Sequence, residues 1–305
     1  MKKKIFLVLF AAIAGTNVLF ADGTLIGELY YNLNTSKKTA TVTYQTKDGD
    51  NYADLTTVNI PATVTYDGVT YNVTAVGQDA FMDCLNITSV TLPDGITNIA
   101  RFAFRMCSFT SLTIPASLKT MDYDAFFGCD NITSLTWNAV KCDDFEYASP
   151  WEYAGVGYSA TAPIASVVFS DGVKRIPAYL FARSEALKLV TIPNSVTSIG
   201  ESAFTDCANL NAIYNYGETP ANAYSDSFDG VNKSTCKLYV PKNSINAYKN
   251  APVWRDFYSI SAVEDVQALE NAEADNVRSA KVIIDGKVYI NRGDKTYTLQ
   301  GQEVK

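Results

Sequence analysis

The chain has 305 residues, 25 Lys+Arg against 32 Asp+Glu and no basic stripe, so nucleic acid and anionic membrane surfaces are poor partners. It contains no histidine, which removes Ser-His and Cys-His nucleophile pairs, His-containing zinc sites and imidazole acid–base catalysis together. Six cysteines are too scattered for a Cys₄ zinc site, and no glycine pattern makes a phosphate loop, so neither a cofactor nor a metal is expected.

Lys2, Lys3 and Lys4 precede the apolar run from Ile5 to Ala14, and Phe20-Ala21 is followed by Asp22-Gly23. Residues 1–21 read as a secretory signal peptide. A membrane anchor is the competing reading, but the run is shorter than the roughly 20 residues a spanning helix needs. No later stretch is apolar enough to span, so no membrane span is expected after cleavage. Residues 22–54 show strand-like alternation, with Leu25, Leu29 and Tyr31 read on one face and Ala40 to Tyr44 following, and are expected to form an N-terminal β cap.

From residue 55 to 242 one motif returns every 22 or 23 residues. Val90, Leu92, Pro93, Ile96, Ile99, Ala103, Phe104 and Cys107 reappear as Leu112, Ile114, Pro115, Leu118, Met121, Ala125, Phe126 and Cys129. They return again as Val190, Ile192, Pro193, Val196, Ile199, Ala203, Phe204 and Cys207. Each unit opens with a period-2 step that suits a short strand with one buried face, and Pro then ends the strand because it cannot donate to a ladder. A single unit cannot bury that face, whereas a stack of them can. The period predicts a leucine-rich-repeat solenoid of about eight turns, β-rich with short helical or irregular connections, opening at Leu55, Ile87, Phe109, Ile132, Ile164, Leu187, Leu210 and about Thr235.

Two insertions break the period. One lies at about 63–72, where Tyr66-Asp67-Gly68-Val69 reads as a hairpin. The other, at about 138–163, is rich in aromatic and acidic residues, and insertions in repeat proteins map to loops on one, often binding, face. Beyond the last turn, residues 243–263 are expected to lay a short helix and an aromatic plug over the stack. Residues 264–279 read as an acidic, Ala-rich linker, and 280–305 as a short β tail, a candidate sorting or attachment segment.

Cys84, Cys107, Cys129 and Cys207 each fall three residues after a repeat Phe. They are read as a buried column of reduced thiols, with disulfides between neighbouring turns as the alternative, since stacked positions approach bridge geometry. Cys142 and Cys236 lie outside the column.

The succession strand-Pro, Val/Ile-x-x-Ile, Ala-Phe-x-x-Cys resembles the BspA-type leucine-rich repeat of bacterial surface proteins, as does the ending Leu238-Tyr239-Val240-Pro241 … Trp254-Arg255-Asp256-Phe257. The stretch Lys295 to Val304 resembles C-terminal segments of exported bacterial proteins, some of which act as sorting domains. The resemblance implies a secreted or surface-displayed, non-enzymatic binding protein, some relatives being linked to adhesion to host matrix proteins or other cells. It carries over no ligand, because the motif residues are core residues. An extracellular protein or glycan partner and a monomeric chain are expected, with a structural spacer in a larger surface assembly as the alternative.

Two regions are candidates for ligand contact. On the exposed strand face, early turns present Ser and Thr, whereas later turns present Val168, Leu189, Tyr214 and Tyr239. The second insertion supplies Tyr147, Trp151 and Tyr153 beside Asp143, Asp144, Glu146 and Glu152. Its acids read first as a solvated loop; weak calcium binding and a hydrolytic carboxylate pair are the alternatives.

Overall fold

A computed structural model describes residues 23–44, 52, 54–146, 148–151 and 162–263, together with the backbone of four strands within 279–304. The signal-peptide segment and residues 264–278 of the linker lie outside the described residues.

The chain opens with β1 (Thr24–Ile26), β2 (Leu29–Asn34) and β3 (Thr39–Thr43), an antiparallel meander. β4 (Thr57–Asn59) is followed by β5 (Thr63–Tyr66) and β6 (Val69–Val76), which pair antiparallel across Asp67-Gly68. Asp67 and Gly68 both adopt positive φ, 49° and 73°, the backbone a two-residue hairpin turn requires. Leu25 faces solvent, unlike Leu29 and Tyr31, which are buried. The turn at Gly27 and Glu28 resets the alternation, pairing Leu25 with Tyr30 rather than placing it on the inner face.

The repeats follow as β7 (Ser89–Thr91), β8 (Asn98–Ile99), β9 (Ser111–Ile114), β10 (Thr120–Met121), β11 (Ser134–Trp137) and β12 (Ser166–Phe169). Then come β13 (Arg175–Ile176), β14 (Leu189–Ile192), β15 (Ser198–Ile199), β16 (Ala212–Asn215), β17 (Asn222–Ala223) and β18 (Lys237–Val240). Helix α1 (Ile245–Asn250) and β19 (Ser259–Ala262) close the solenoid, and β20 (Ser279–Ile284), β21 (Lys287–Arg292), β22 (Lys295–Thr298) and β23 (Glu303–Val304) form a separate antiparallel sheet.

The longer strands stack into one parallel sheet in the order β19-β18-β16-β14-β12-β11-β9, while β4 pairs with β7. The two-residue strands stack on another side of each turn, β10 on β8 and β6, and β13-β15-β17. β19 pairs parallel with β18 and so adds a rung beyond the eight turns read from the period.

The interior is a set of in-register columns. Leu112, Leu135, Val167, Val190, Ile213 and Leu238 form one, all at most 2 % exposed. A second is aromatic. Ring centroids run from Tyr52 to Phe81 at 4.9 Å, Phe81 to Phe104 at 5.2 Å and Phe104 to Phe126 at 5.3 Å. Beyond the insertion, Phe181 to Phe204 is 5.7 Å, Phe204 to Phe228 5.2 Å and Phe228 to Trp254 5.5 Å. Each such contact adds about 0.5–1.5 kcal/mol beyond area burial.

The cysteines tie one turn to the next. Cys107, Cys129 and Cys207 donate their S–H groups to the carbonyls of Phe81, Phe104 and Phe181 at 3.3, 3.0 and 3.1 Å. All six cysteines are buried free thiols. Serine makes an equivalent rung elsewhere: Ser117 Oγ donates to Ile96 O at 2.6 Å and accepts from Gly95 N–H at 2.9 Å. Ser195 repeats this with Val173 O and Gly172 N–H. The φ values of Gly95 and Gly172, 117° and 96°, are what bring those N–H groups round.

Candidate binding face

Strand pairing fixes which side chains share the outward face. Ser134 lies opposite Ser111 and Ser166, and Thr136 opposite Thr113 and Val168. Leu189 lies opposite Ser166 and Ala212, Thr191 opposite Val168 and Tyr214, and Tyr239 opposite Tyr214 and Ser261. Two outward columns therefore run along the sheet. Val168, Leu189, Tyr214 and Tyr239, the four strand-face candidates, fall on this one surface.

Their exposure differs. Val168 is 44 % exposed, a high value for an apolar side chain on a sheet. Leu189, Tyr214 and Tyr239 are half-buried. The rings of Tyr214 and Tyr239 stack at 4.8 Å and 23°, each supporting its neighbour on an adjacent strand. Lys237 is exposed beside them.

The second insertion is arranged differently from expectation. Trp151 is 2 % exposed and belongs to the aromatic column, 5.2 Å from Phe126 and 6.2 Å from Phe181. It fills the rung that lacks an Ala-Phe-x-x-Cys motif, and it is withdrawn from the candidate surface. The segment is pinned there by Ser149, fully buried, whose Oγ donates to Leu180 O at 2.8 Å. Phe145 is likewise buried. Tyr147 and Tyr153 lie outside the described residues, as does Glu152.

Asp144 is committed to structure. Its Oδ1 accepts from Ala178 N–H at 2.6 Å and pairs with the Arg175 guanidinium. That ties the insertion to the following turn. Among the described residues, no group of three or more Cys, Asp or Glu is placed to hold a metal ion. The thiols are also poor nucleophiles: burial pushes Cys129, Cys142, Cys207 and Cys236 up to about 12, and Cys84 to about 11, so thiolate is scarce at neutral pH.

Sequence reasoning missed Trp151 as a core residue. The signal was present in the spacing: Phe126 and Phe181 are 55 residues apart, more than two periods, so one rung between them needed an aromatic from outside the motif.

The geometry defines a class: a parallel β-solenoid built from repeats of about 23 residues, with one outward-facing sheet. The model of the BspA type leucine rich repeat region matches in six copies over residues 50–148 and 157–269, and the chain belongs to that family. It is similar to a solved leucine-rich-repeat protein of T. pallidum, at 21 % identity over 66 % of this chain and 86 % of that one, TM-score 0.46. A leucine-rich cell-surface protein of Faecalibacterium prausnitzii matches at 15 % over 79 % and 94 %, TM-score 0.24. The pneumococcal vaccine antigen PcpA matches at 14 % over 80 % and 86 %, TM-score 0.27. No curated protein matches the chain. Among the described residues, no helix is long and apolar enough to cross a membrane.

Proposed function

We propose that the chain is a secreted or cell-surface, non-enzymatic binding protein, a monomer that uses its solenoid as a rigid scaffold for an extracellular protein or glycan. The observation that carries this reading is where the chain departs from its own repeat. β7, β9 and β11 present Ser-x-Thr outward, whereas β12, β14, β16 and β18 substitute Val168, Leu189, Tyr214, Lys237 and Tyr239. These positions point away from the core, so packing of the stack does not demand the change. Solenoids use such faces as extended binding surfaces, and Tyr is enriched where proteins make contact. Family membership supports the same reading.

The test is saturable binding of the full chain to immobilised matrix proteins and glycans, repeated with Val168→Lys and Leu189→Lys. Weakened binding by either variant, with an unchanged thermal midpoint, supports the face as the contact surface. Equal binding by wild type and both variants rejects that placement. The spacer reading draws on the separate four-stranded sheet of β20–β23. Deleting residues 264–305 distinguishes them: a spacer loses surface attachment, whereas a binder retains its ligand.

A further inference from the structure

We infer that the outward sheet face takes a neutral glycan, laid extended across the strands with sugar rings packed beside the Tyr214–Tyr239 stack. This rests on the proposed reading of that face as the contact surface, and it names the ligand's chemistry.

The first argument is charge. The chain carries 25 Lys+Arg and 32 Asp+Glu, yet the two outward columns from β9 to β19 contain one charged side chain, Lys237, and no carboxylate. Charged partners are recognised by complementary charge, and polyanionic sugars by clustered Arg and Lys. This face offers neither. It offers Ser and Thr hydroxyls, each able to donate and to accept, which match a ligand made of hydroxyls.

The second argument is repetition. Neighbouring strands are about 4.8 Å apart, so the seven strands span about 29 Å. Each rung places two side chains on the outward face, in register with the next. A ligand that repeats along its own length, as an unbranched sugar chain does, meets a pair of outward side chains at every step, hydroxyls on β9 and β11 and the Tyr214 and Tyr239 rings on β16 and β18.

The third argument is the aromatic pair. Tyr214 and Tyr239 stack on each other, and the residues opposite them on their far sides are Thr191 and Ser261. Ser261 is small and exposed, which leaves the far side of the Tyr239 ring for the C–H face of a pyranose, and the stacking on Tyr214 restrains that ring before a ligand arrives.

The experiment is calorimetric titration of the full chain with unsubstituted gluco-, manno- and xylo-oligosaccharides of increasing length, and with sulfated and carboxylated counterparts. At least one neutral series is expected to bind with affinity that rises with length. Tyr239→Ala should weaken it about tenfold, Thr136→Asp several-fold, and Tyr239→Phe by no more than about twofold, all with unchanged thermal midpoints. Absence of binding by every neutral series, or binding of anionic sugars alone, overturns the inference. A matrix-protein ligand weakened by Tyr239→Ala overturns it while leaving the binding face intact. Glycan binding indifferent to both Tyr239→Ala and Thr136→Asp overturns the placement itself.

Discussion

At the scale of single residues, the buried thiols and Trp151 carry the sharpest consequences. Cys129, Cys142, Cys207 and Cys236 are held neutral by burial, with values raised from the ordinary 9.0 to about 12. An unfolded thiol begins to release its proton near 9 while the folded ones keep theirs. The thiols' contribution to stability is therefore constant below about pH 8 and falls as pH rises from 9 towards 12, by up to about 1.4 kcal/mol per pH unit for each such thiol. Urea melts at pH 8, 9, 10 and 11 measure this, and Cys129→Ala should make the slope shallower. Trp151→Ala removes a buried indole between Phe126 and Phe181, and a loss of about 3–5 kcal/mol is expected in chemical denaturation. A stable Trp151→Ala protein with impaired binding would contradict its place in the core.

At the scale of elements, the rung is the unit. The Ser195 hydroxyl joins Val173 O to Gly172 N–H, so Ser195→Ala leaves two backbone groups to find water, with an expected cost of about 1–2 kcal/mol read from the thermal midpoint. The columns were legible from sequence because a single period fixes everything on a rung: once Leu112 and Val190 are inward, Thr113 and Thr191 must be outward. Trp151 was not, because the insertion destroys the alignment that identifies a column position, and an aromatic beside acids looks like a loop residue. β19 escaped for a related reason. Tyr258-Ser259-Ile260-Ser261 has the strand's alternation but none of the motif that follows one, and only its pairing with β18 identifies it as a rung. Asn215 marks the opposite case. It occupies a strand position filled elsewhere by Ile114, Phe169, Ile192 or Val240, is 1 % exposed, and accepts the Gly217 N–H at 3.0 Å.

At the scale of the whole molecule, a stack needs ends that cover its core. The C-terminal end is closed by α1 and the segment leading to β19. Trp254 packs on Phe228 and donates Nε1–H to Ala221 O at 2.7 Å, and the Tyr248 hydroxyl donates to Gly217 O at 3.0 Å. Both are fully buried. Trp254→Ala should cost about 3–5 kcal/mol, seen as a lower denaturation midpoint. Because each turn contacts only its neighbours, that loss should fall first on the last turns, with amide exchange in β16 and β18 accelerating more than in β9 and β11.

The chain's three tryptophans are distributed along the stack: Trp137 in β11, Trp151 in mid-column, Trp254 at its end. Fluorescence consequently reports position as well as foldedness. In a Trp137→Phe background, Trp151 and Trp254 become two lamps set several turns apart. If the solenoid peels from its C-terminal end, emission from Trp254 shifts to the red before that of Trp151. If it melts as one body, the two move together, and an ordinary spectrometer distinguishes a zipper from a block.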